Sequence, residues 1–461
     1  MANNDSDALV FFGATGDLAY QQIFPALQAM IRHRHFDLPI IGVAMPAWTT
    51  DQLRARARES IEKHSQIDEP AFAILSAKLQ YVSGDYSDPE TFQKLRAALG
   101  AACRPLFYLA IPPSLFGPVA EGLKTAGCNT GGRVVVEKPF GRDLASAQAL
   151  NQTLSSSFPE SSVFRIDHYL GKEPVQNLIY FRFANSFLEP IWNRDYIQSV
   201  QITMAEKFGV SGRGAFYDQV GTIRDVVQNH LLEIVALLAM EPPIARGLDA
   251  LRDEKQRALR AARPLVPGDV VRGQFRGYRN ELGVAPDSDV ETYVALKLFM
   301  DTWRWAGVPF YIRAGKELPV TSTEVFVRLK RPPQNVFDVI APTDANYIRF
   351  CVSPDVSISL GVRAKTPGEA MAGKQVELTM HEAPGDEMLP YERLLGDAIR
   401  GDQTLFVRED SVESSWIIVD PVLPGVGQAT PVREYDPNTW GPVEADAIIA
   451  DDGGWHKPCG A

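Results

Sequence analysis

Residues 8–19 read Ala-Leu-Val-Phe-Phe-Gly-Ala-Thr-Gly-Asp-Leu-Ala, and this stretch decides the fold of the first part of the chain. Five apolar residues that end at a glycine predict a short buried strand, and helical spacing of apolar residues follows over residues 18–34. Further strand-like runs end near residues 44, 82, 109, 136 and 166, with helix-length segments between them. Strands that alternate with helices predict an α/β doubly wound parallel sheet over residues 1–170.

Beyond about residue 175 the pattern changes. Helices are predicted near residues 174–184, 222–240 and 389–400, and strand-like runs separated by turn residues lie between the last two. The runs are Tyr293–Phe299, Pro309–Arg313, Glu324–Leu329, Tyr347–Cys351 and Val376–Met380. This order predicts an α+β domain over residues 171–461 with a large, mainly antiparallel sheet. We expect the glycine-rich tail from residue 451 onward to be mobile.

The composition of the chain narrows the class of protein. With 461 residues, of which 45% are hydrophobic and 22% charged, the chain is long enough for two domains with a large buried core. A net charge of −11 argues against nucleic acid as a partner, because nucleic-acid binding needs a basic surface. An anionic substrate remains compatible with this charge, since a local pocket can be positive on an acidic protein.

Cysteine usage and hydropathy indicate the compartment. The cysteines show neither metal-ligand spacing nor the pattern of a disulfide framework, which favours a reducing compartment: Cys103, Cys128, Cys351 and Cys459. The acidic N-terminal residues lack an apolar core, so we expect no signal peptide. The most apolar stretch, Leu231–Met240, is too short to cross a bilayer. We therefore expect a cytoplasmic protein that does not bind a membrane.

The segment Gly13-Ala-Thr-Gly-Asp-Leu-Ala19 connects the first predicted strand to the first predicted helix. Its glycines let the backbone approach a pyrophosphate, and the helix N-terminus offers N–H groups and the positive end of the helix dipole. The spacing is a GxxGxxA variant that by itself would also fit a plain glycine turn. Its position after the first strand of a doubly wound sheet favours dinucleotide binding.

Residues 165–173, Arg-Ile-Asp-His-Tyr-Leu-Gly-Lys-Glu, place a dense group of polar side chains directly after a strand. The group contains a carboxylate, an imidazole, a phenol and an ammonium, which belong to Asp167, His168, Tyr169 and Lys172. Three of them can donate hydrogen bonds to an anion, and Asp167 can orient a base. Each alone would fit a structural role, but a group this dense at a strand end favours a binding site.

A lysine stands at another strand end, in the segment Glu137-Lys-Pro-Phe-Gly141. From this position Lys138 can reach either a cofactor or a substrate. A salt-bridged lysine at the edge of the sheet would explain the same residue without a function. Pro139 fixes the local backbone, and its peptide bond is a candidate for the cis form.

The segment Arg224-Asp-Val-Val-Gln-Asn-His230 is predicted to lie on a helix. Asp225 and Asn229 are four residues apart, so they share a face and can contact one ligand. A neutral His230 can accept the proton of an alcohol while the carbon of that alcohol gives up a hydride. A lone helical histidine is more often structural. The catalytic interpretation therefore needs a partner carboxylate, for which Asp167 is the candidate.

Together these segments resemble the glucose-6-phosphate dehydrogenase family. The matching segments are GATGDLA (13–19), IPP (111–113), EKPFG (137–141), RIDHYLGKE (165–173), WNR (192–194), EKFG (206–209), GRGAFYD (212–218), RDVVQNH (224–230) and RAGK (313–316). They extend over most of the chain, and the RIDHYLGKE and RDVVQNH segments are highly specific to the family. The resemblance implies a Rossmann-like first domain, and a second domain whose large sheet usually also forms the dimer surface.

The resemblance also implies roles for individual residues. His230 would be the general base for the C1 hydroxyl of the sugar, and Asp167 would orient it. The residues that would hold the 6-phosphate are His168, Tyr169, Lys172 and Lys316. Glu206 and Asp225 would hold sugar hydroxyls, and Lys138 would bridge substrate and cofactor. The implied cofactor-binding residues are Gly13, Ala14, Thr15, Gly16, Asp17, Leu18, Met45, Asp85, Tyr86, Pro112 and Lys138.

The reaction implied by the resemblance is the oxidation of D-glucose 6-phosphate at C1. Hydride would pass to NAD or NADP, and 6-phosphoglucono-1,5-lactone would form, as in the first step of the oxidative pentose phosphate and Entner–Doudoroff routes. No metal is required, because the base and the dinucleotide share the chemistry. The family is usually dimeric or tetrameric, so we expect a homo-oligomer. The alternatives are a non-catalytic paralogue that binds a sugar phosphate or dinucleotide, and a dehydrogenase of a free or differently 6-substituted hexose.

The chain departs from the family pattern in two respects, one at the cofactor site and one at the phosphate site. Met45 follows the second strand, where the family commonly places an arginine that binds the 2′-phosphate of NADP, and Gln21 and Gln22 replace basic residues near the glycine loop. A methionine makes no charge-assisted hydrogen bond, so we expect dual use of NAD and NADP or a mild preference for NAD. Thr321 stands where the family often has a second cation for the substrate phosphate, and its hydroxyl supplies no charge.

Overall fold

The structure is a computed structural model, and it describes residues 5–244, 247–334, 336, 345–369, 371–381 and 388–460. It divides into two compact units, each built from several pieces of chain. The first unit comprises Met1–Glu173, Pro243–Asp253 and Asp386–Glu413, and the second comprises Pro174–Pro242, Glu254–Gly385 and Ser414–Ala461. The predicted boundary between folding domains after residue 170 stays a prediction.

A six-stranded parallel sheet forms the centre of the first unit. Its strands are β1 (Ala8–Phe12), β2 (Ile40–Ala44), β3 (Leu79–Ser83), β4 (Pro105–Leu109), β5 (Arg133–Glu137) and β6 (Val163–Ile166). They are ordered β3-β2-β1-β4-β5-β6, so the strand order reverses between β1 and β4. This arrangement confirms the predicted doubly wound sheet, and its reversal point is where such sheets bind ligands.

Helices connect the strands of this sheet. A π-helical turn, Ala19–Ile23, leads into α1 (Phe24–Arg32), and the helices that follow are α2 (Thr50–His64), α3 (Glu69–Lys78), α4 (Pro89–Leu99), α5 (Phe116–Thr125) and α6 (Leu144–Ser155). Helix α2 begins at a capping box in which the Thr49 hydroxyl accepts from the backbone N–H of Gln52. Strand β1 is buried along its whole length, and its apolar side chains pack with those of α1 and α2 in one hydrophobic core.

The remaining elements extend from residue 173 to the end of the chain. The helices are α7 (Glu173–Ala184), α8 (Gly214–Thr222), a π-helix (Ile223–Leu231), α9 (Leu232–Ala239), α10 (Leu248–Ala261), α11 (Pro390–Arg400), α12 (Glu409–Val419) and α13 (Glu444–Ile448). The strands are β7 (Ile197–Ala205), β8 (Val270–Phe275), β9 (Tyr293–Leu298), β10 (Phe310–Gly315), β11 (Ser322–Leu329), β12 (Tyr347–Ser353), β13 (Ser357–Lys365), β14 (Gly373–His381) and β15 (Val432–Tyr435).

These nine strands form one sheet in the order β14-β13-β12-β11-β7-β10-β9-β8-β15. Pairing is antiparallel except between β7 and β10 and between β8 and β15, which confirms the predicted large, mainly antiparallel sheet. Strand β7 was absent from the predicted elements, although it lies at the centre. Its polar residues Ser199, Gln201 and Thr203 are buried. They obscure the apolar pattern by which a central strand is recognised.

The C-terminal tail packs on this second sheet, so the expectation of a mobile tail was wrong. The Gln201 side chain accepts from the backbone N–H of His456 at 2.7 Å, and the His456 ring stacks on Phe326 with ring centres 3.8 Å apart. Cys459 is joined to Cys351 by a disulfide bond. This bond contradicts the sequence-based expectation of cysteines without a disulfide, from which a reducing compartment was inferred. The two cysteines are 108 residues apart, so no local spacing indicates the pair. No helix in the described part of the chain is both long and apolar enough to span a bilayer.

Candidate active site

The predicted site residues of the first unit lie where its parallel strands end. Gly13 follows β1 and adopts a φ of +78°, and a Cβ atom there would lie 2.1 Å from the carbonyl oxygen of Ala110. Only glycine therefore fits this turn. The turn leads into the helix that starts at Ala19, and Leu18 provides no side-chain cap. Because the first N–H groups of a helix lack intrahelical acceptors, this turn suits a phosphate.

The other residues of the predicted cofactor site differ in their surroundings. Thr15 and Leu18 are half-buried, Ala14 is buried, and Gly16 and Asp17 are exposed. Met45 is 59% exposed beyond the end of β2, and Pro112 is exposed beyond β4. At position 45 the family's arginine is replaced by methionine, whose thioether carries no charge.

Tyr86 and Asp85 support the loops around the glycine turn. The buried Tyr86 hydroxyl accepts from the backbone N–H of Gly13 at 3.0 Å and donates to the carbonyl oxygen of Val43 at 3.2 Å. The Asp85 carboxylate accepts from the backbone N–H of Ser87 at 2.8 Å, and this hydrogen bond lowers the pKa of Asp85. The Tyr86 hydroxyl therefore links the ends of β1 and β2, whereas the Asp85 carboxylate bonds locally within the loop after β3.

Lys138 follows β5, and the Lys138–Pro139 peptide bond is cis, as the sequence suggested. The residue before it, Glu137, is the centre of a hydrogen-bonded cluster with the hydroxyls of Tyr108 and Tyr391. Burial raises the pKa of Glu137 to about 7, although both tyrosine hydrogen bonds and the charge of Lys138 act in the opposite direction. The nearby charge of Asp167 adds to the rise.

The segment after β6 forms a compact polar turn. Asp167 is buried, and its Oδ1 accepts from the backbone N–H of Tyr169 at 2.9 Å. The rings of His168 and Tyr169 are in edge contact at 5.2 Å, and the Lys172 ammonium lies 3.6 Å from the centre of the Tyr169 ring. The structure thus brings the imidazole, the phenol and the ammonium of the predicted phosphate clamp together.

In the second unit, Glu206 and Lys316 form a close ion pair. The Lys316 ammonium donates to Glu206 Oε2 at 2.6 Å and lies 5.0 Å from the centre of the Tyr217 ring. Lys316 is buried. Burial raises the pKa of Tyr217, and the charges of Asp225 and Glu206 raise it further. Tyr217 therefore lies among three of the predicted substrate-binding residues.

The helix that carries Asp225 and His230 is a π-helix, a form that the apolar spacing of these residues does not distinguish from an α-helix. Hydrogen bonds in a π-helix join residues five apart, so residues one turn apart are separated by five positions instead of four. Asp225 and His230 consequently lie one turn apart, whereas an α-helix would turn them to different faces. Asn229 instead bonds locally: its side chain donates to the Arg224 carbonyl oxygen and accepts from the His230 N–H.

Thr321 has a structural contact. Its hydroxyl accepts from the backbone N–H of Lys207 at 3.1 Å, and residue 321 is exposed. The hydroxyl therefore helps to hold the segment that begins with Glu206.

Comparisons with known proteins identify the family. Residues 10–177 match the model described as glucose-6-phosphate dehydrogenase, NAD binding domain, and residues 179–456 match glucose-6-phosphate dehydrogenase, C-terminal domain. The glucose-6-phosphate 1-dehydrogenase 1 of Mycobacterium tuberculosis is 45% identical over 454 residues, which cover 98% of this chain and 97% of the relative. The chain belongs to the glucose-6-phosphate dehydrogenase family.

Solved structures of glucose-6-phosphate dehydrogenases share the fold. The enzyme from Mycobacterium avium superposes with a TM-score of 0.92 at 45% identity, covering 98% of this chain and 99% of that one. A glucose-6-phosphate dehydrogenase in complex with its substrate glucose-6-phosphate gives a TM-score of 0.91 at 34% identity, covering 99% and 100%. The resemblance and the fold class inferred from the sequence are confirmed. The N-terminal match also makes a nicotinamide dinucleotide the cofactor class.

Several tyrosines contact the predicted site residues or their neighbours, although none of these tyrosines is among the residues predicted from the sequence. Tyr108 and Tyr391 hold Glu137, and Tyr217 lies beside Lys316. Tyr217 and Glu137 stand inside the quoted family segments, so a signal for them existed. Tyr391 lies 254 positions after Glu137, and no local pattern joins the two.

Proposed function

We propose that this member of the glucose-6-phosphate dehydrogenase family oxidises β-D-glucose 6-phosphate at C1 to 6-phosphoglucono-1,5-lactone. This proposal is best supported by the cationic group after β6, in a chain that matches a member of the family over nearly its whole length. In that group the Lys172 ammonium lies over the Tyr169 ring, beside His168. A hexose without the phosphate would leave this group without an anion.

His230 accepts the proton of the C1 hydroxyl as the general base. A bound nicotinamide dinucleotide supplies the acceptor for the hydride that leaves C1. Asp225, one π-helical turn before His230, and Glu206 accept hydrogen bonds from sugar hydroxyls. The predicted partnership of His230 with Asp167 would join one residue from each unit, and it stays a prediction.

The proposed cationic and hydrogen-bonding groups are Lys138, His168, Tyr169 and Lys172 in the first unit and Lys316 in the second. Lysine and tyrosine donate to phosphate oxygens, and ionised donors make the stronger hydrogen bonds. Lys316 is fixed by its ion pair with Glu206, so its ammonium needs little rearrangement on binding. Lys138 directly follows β5, and in this proposal it contacts substrate and cofactor together.

The cofactor is NAD or NADP, with dual use or a mild preference for NAD. Met45 is exposed at the position where an arginine would contact the 2′-phosphate, and Gln21 and Gln22 are exposed and uncharged. A missing charged hydrogen bond costs about 1.5–3 kcal/mol, or roughly tenfold or more in affinity. A cytoplasmic location and a homodimer or homotetramer remain further predictions.

The test is a steady-state assay of the purified chain with NAD or NADP and a small set of sugars. Formation of reduced nicotinamide is followed by absorbance at about 340 nm. We expect turnover of glucose 6-phosphate with kcat/KM far above that of free glucose and of other hexose phosphates. Comparable turnover of free glucose would favour the alternative of an unphosphorylated substrate. Binding of NAD(P) without turnover of any sugar would favour a non-catalytic paralogue.

A further inference from the structure

Two histidines and a buried glutamate meet in the first unit, apart from all the residues assigned above. His33 and His35 follow the end of α1, and Glu392 lies in the first turn of α11. One potential ligand atom from each of the three side chains lies within 4.8 Å of the other two. Imidazole nitrogen and carboxylate oxygen are the ligands that Zn²⁺ takes in most three-ligand protein sites.

The turn after α1 directs both histidines toward Glu392. The backbone N–H of His35 donates to the Met30 carbonyl oxygen at 2.8 Å, and that of Arg34 donates to the Ile31 carbonyl oxygen at 3.0 Å. Arg34 adopts a φ of +60°. These are the bonds and the left-handed residue of a Schellman cap, but the left-handed position holds an arginine instead of the usual glycine. The chain therefore reverses sharply between the two imidazoles.

The distances are close to those of a metal site. His33 Nδ1 lies 2.6 Å from Glu392 Oε1, and His35 Nδ1 lies 4.0 Å from the same oxygen. Metal–ligand bonds of about 2.0–2.2 Å in tetrahedral geometry separate two ligand atoms by roughly 3.3 Å. On metal binding, the distance from Glu392 to His33 must therefore lengthen by roughly 0.7 Å, and the distance from Glu392 to His35 must shorten by about the same amount. The His35 side chain is 48% exposed and can move by this amount.

Glu392 provides the independent indication of a ligand. Its side chain is 1% exposed, and its Oε2 atom is buried and makes no hydrogen bond to any residue of the described chain. A buried carboxylate oxygen normally has a partner, because losing water without one is unfavourable. The hydrogen bond from His33 satisfies only the other oxygen, so a simple histidine–glutamate pair does not account for the whole carboxylate.

We propose that His33, His35 and Glu392 form a binding site for a divalent transition-metal ion of the Zn²⁺ type. The site joins the end of α1 to the start of α11 and leaves a fourth coordination position for water. Exposed Arg32 lies beside the cluster, with its Nη2 atom 3.2 Å from His33 Nε2. Its side chain turns into solvent when the metal binds. The neighbouring residue Tyr391 contacts Glu137, so the metal would stabilise the helix end that supports β5.

The test is a titration of the whole, tag-free protein with Zn²⁺ after removal of metal by a chelator. Isothermal calorimetry of the wild type is compared with His35→Ala, which removes an exposed ligand and should not disturb folding. The matched control is His64→Ala, an exposed histidine on α2 of the same unit. We expect His35→Ala to bind one Zn²⁺ fewer per chain, and His64→Ala to bind as many as the wild type.

The melting temperature provides a second, independent measurement. Zn²⁺ should raise the melting temperature of the wild type and of His64→Ala more than that of His35→Ala, because a ligand that binds only the folded state stabilises it. Equal stoichiometry and equal melting shifts in wild type and His35→Ala would overturn the proposal. Neither measurement depends on catalytic activity, so the outcome is independent of the proposed function.

Discussion

At the scale of single residues, the proposed base His230 is the position with the clearest expected effect. We expect His230→Asn to lower kcat by roughly 10²–10⁴-fold, the usual contribution of a general base, while KM for glucose 6-phosphate changes little. Steady-state kinetics at saturating cofactor measure both constants. His381→Asn, an exposed histidine of the same unit, is the control and should behave as wild type. A kcat close to that of the wild type in His230→Asn would remove this residue from the role of base.

Lys172 is expected to act on binding instead. Its ammonium lies over the Tyr169 ring, and Lys172→Ala removes a charged donor to the phosphate. A charged hydrogen bond contributes about 1.5–3 kcal/mol, so KM for glucose 6-phosphate should rise roughly tenfold to a hundredfold. Lys172→Arg keeps the charge and should recover part of this loss. If KM is unchanged in Lys172→Ala, the clamp assignment is incorrect.

The cofactor preference can be tested at Met45. Because its side chain is exposed, an arginine there can reach solvent without repacking the core. We expect Met45→Arg to raise kcat/KM for NADP relative to NAD by roughly tenfold, through a new charged contact to the 2′-phosphate. Met380→Arg, at an exposed methionine of β14, adds the same charge elsewhere and should leave the ratio unchanged. A wild-type enzyme that already prefers NADP strongly would contradict the interpretation of Met45.

At the scale of elements, the end of β5 is held by the cluster of Glu137, Tyr108 and Tyr391. Burial raises the pKa of Glu137 from 4.5 to about 7. The folded protein therefore keeps this proton at a pH at which the unfolded chain has lost it. The contribution of Glu137 to stability is complete below about pH 4.5 and is lost as the pH rises through about 7.

This titration predicts a pH-dependent effect of Glu137→Gln. The glutamine cannot ionise, so it avoids the cost of a buried carboxylate at high pH. We expect the melting temperature of Glu137→Gln, relative to wild type, to rise between pH 5 and pH 8. Thermal unfolding followed by circular dichroism at several pH values measures this difference, in which other titrating groups cancel. Glu59→Gln, on the exposed part of α2, is a suitable control. A difference that stays constant with pH would show that Glu137 titrates normally.

At the scale of the whole molecule, a long-range disulfide fastens the C-terminal tail to the second sheet. The bond between Cys351 and Cys459 closes a loop of about a hundred residues, which restricts the unfolded chain. We expect Cys459→Ser to lower the unfolding free energy by about 2–4 kcal/mol under oxidising conditions. Denaturant unfolding with and without a thiol reductant measures the change. The reductant should lower the unfolding free energy of the wild type and leave that of Cys459→Ser unchanged. The control Cys103→Ser should have the same unfolding free energy as the wild type.

Much of the fold could be predicted from local sequence. The six strands of the first sheet were each visible as short apolar runs, because strands buried on both faces are apolar throughout. The ends of these runs also indicated the positions of Gly13, Lys138 and Asp167. Parallel strands bring such ends to one edge whatever the details of packing. In the second sheet, β7 was not recognised, because buried polar residues such as Gln201 interrupt its pattern.

The amino-acid sequence by itself determined the order of the elements, the family segments and the residue types available at the strand ends, since each of these is written in neighbouring residues. Only the tertiary structure decided which distant side chains meet. Tyr391 contacts Glu137, Cys459 bonds to Cys351, and Glu392 approaches His33 across 359 positions. The π-helix that places His230 one turn after Asp225 also emerged only there. The physical reason is that periodicity and propensity act over a few residues, whereas these contacts depend on the path of the whole chain.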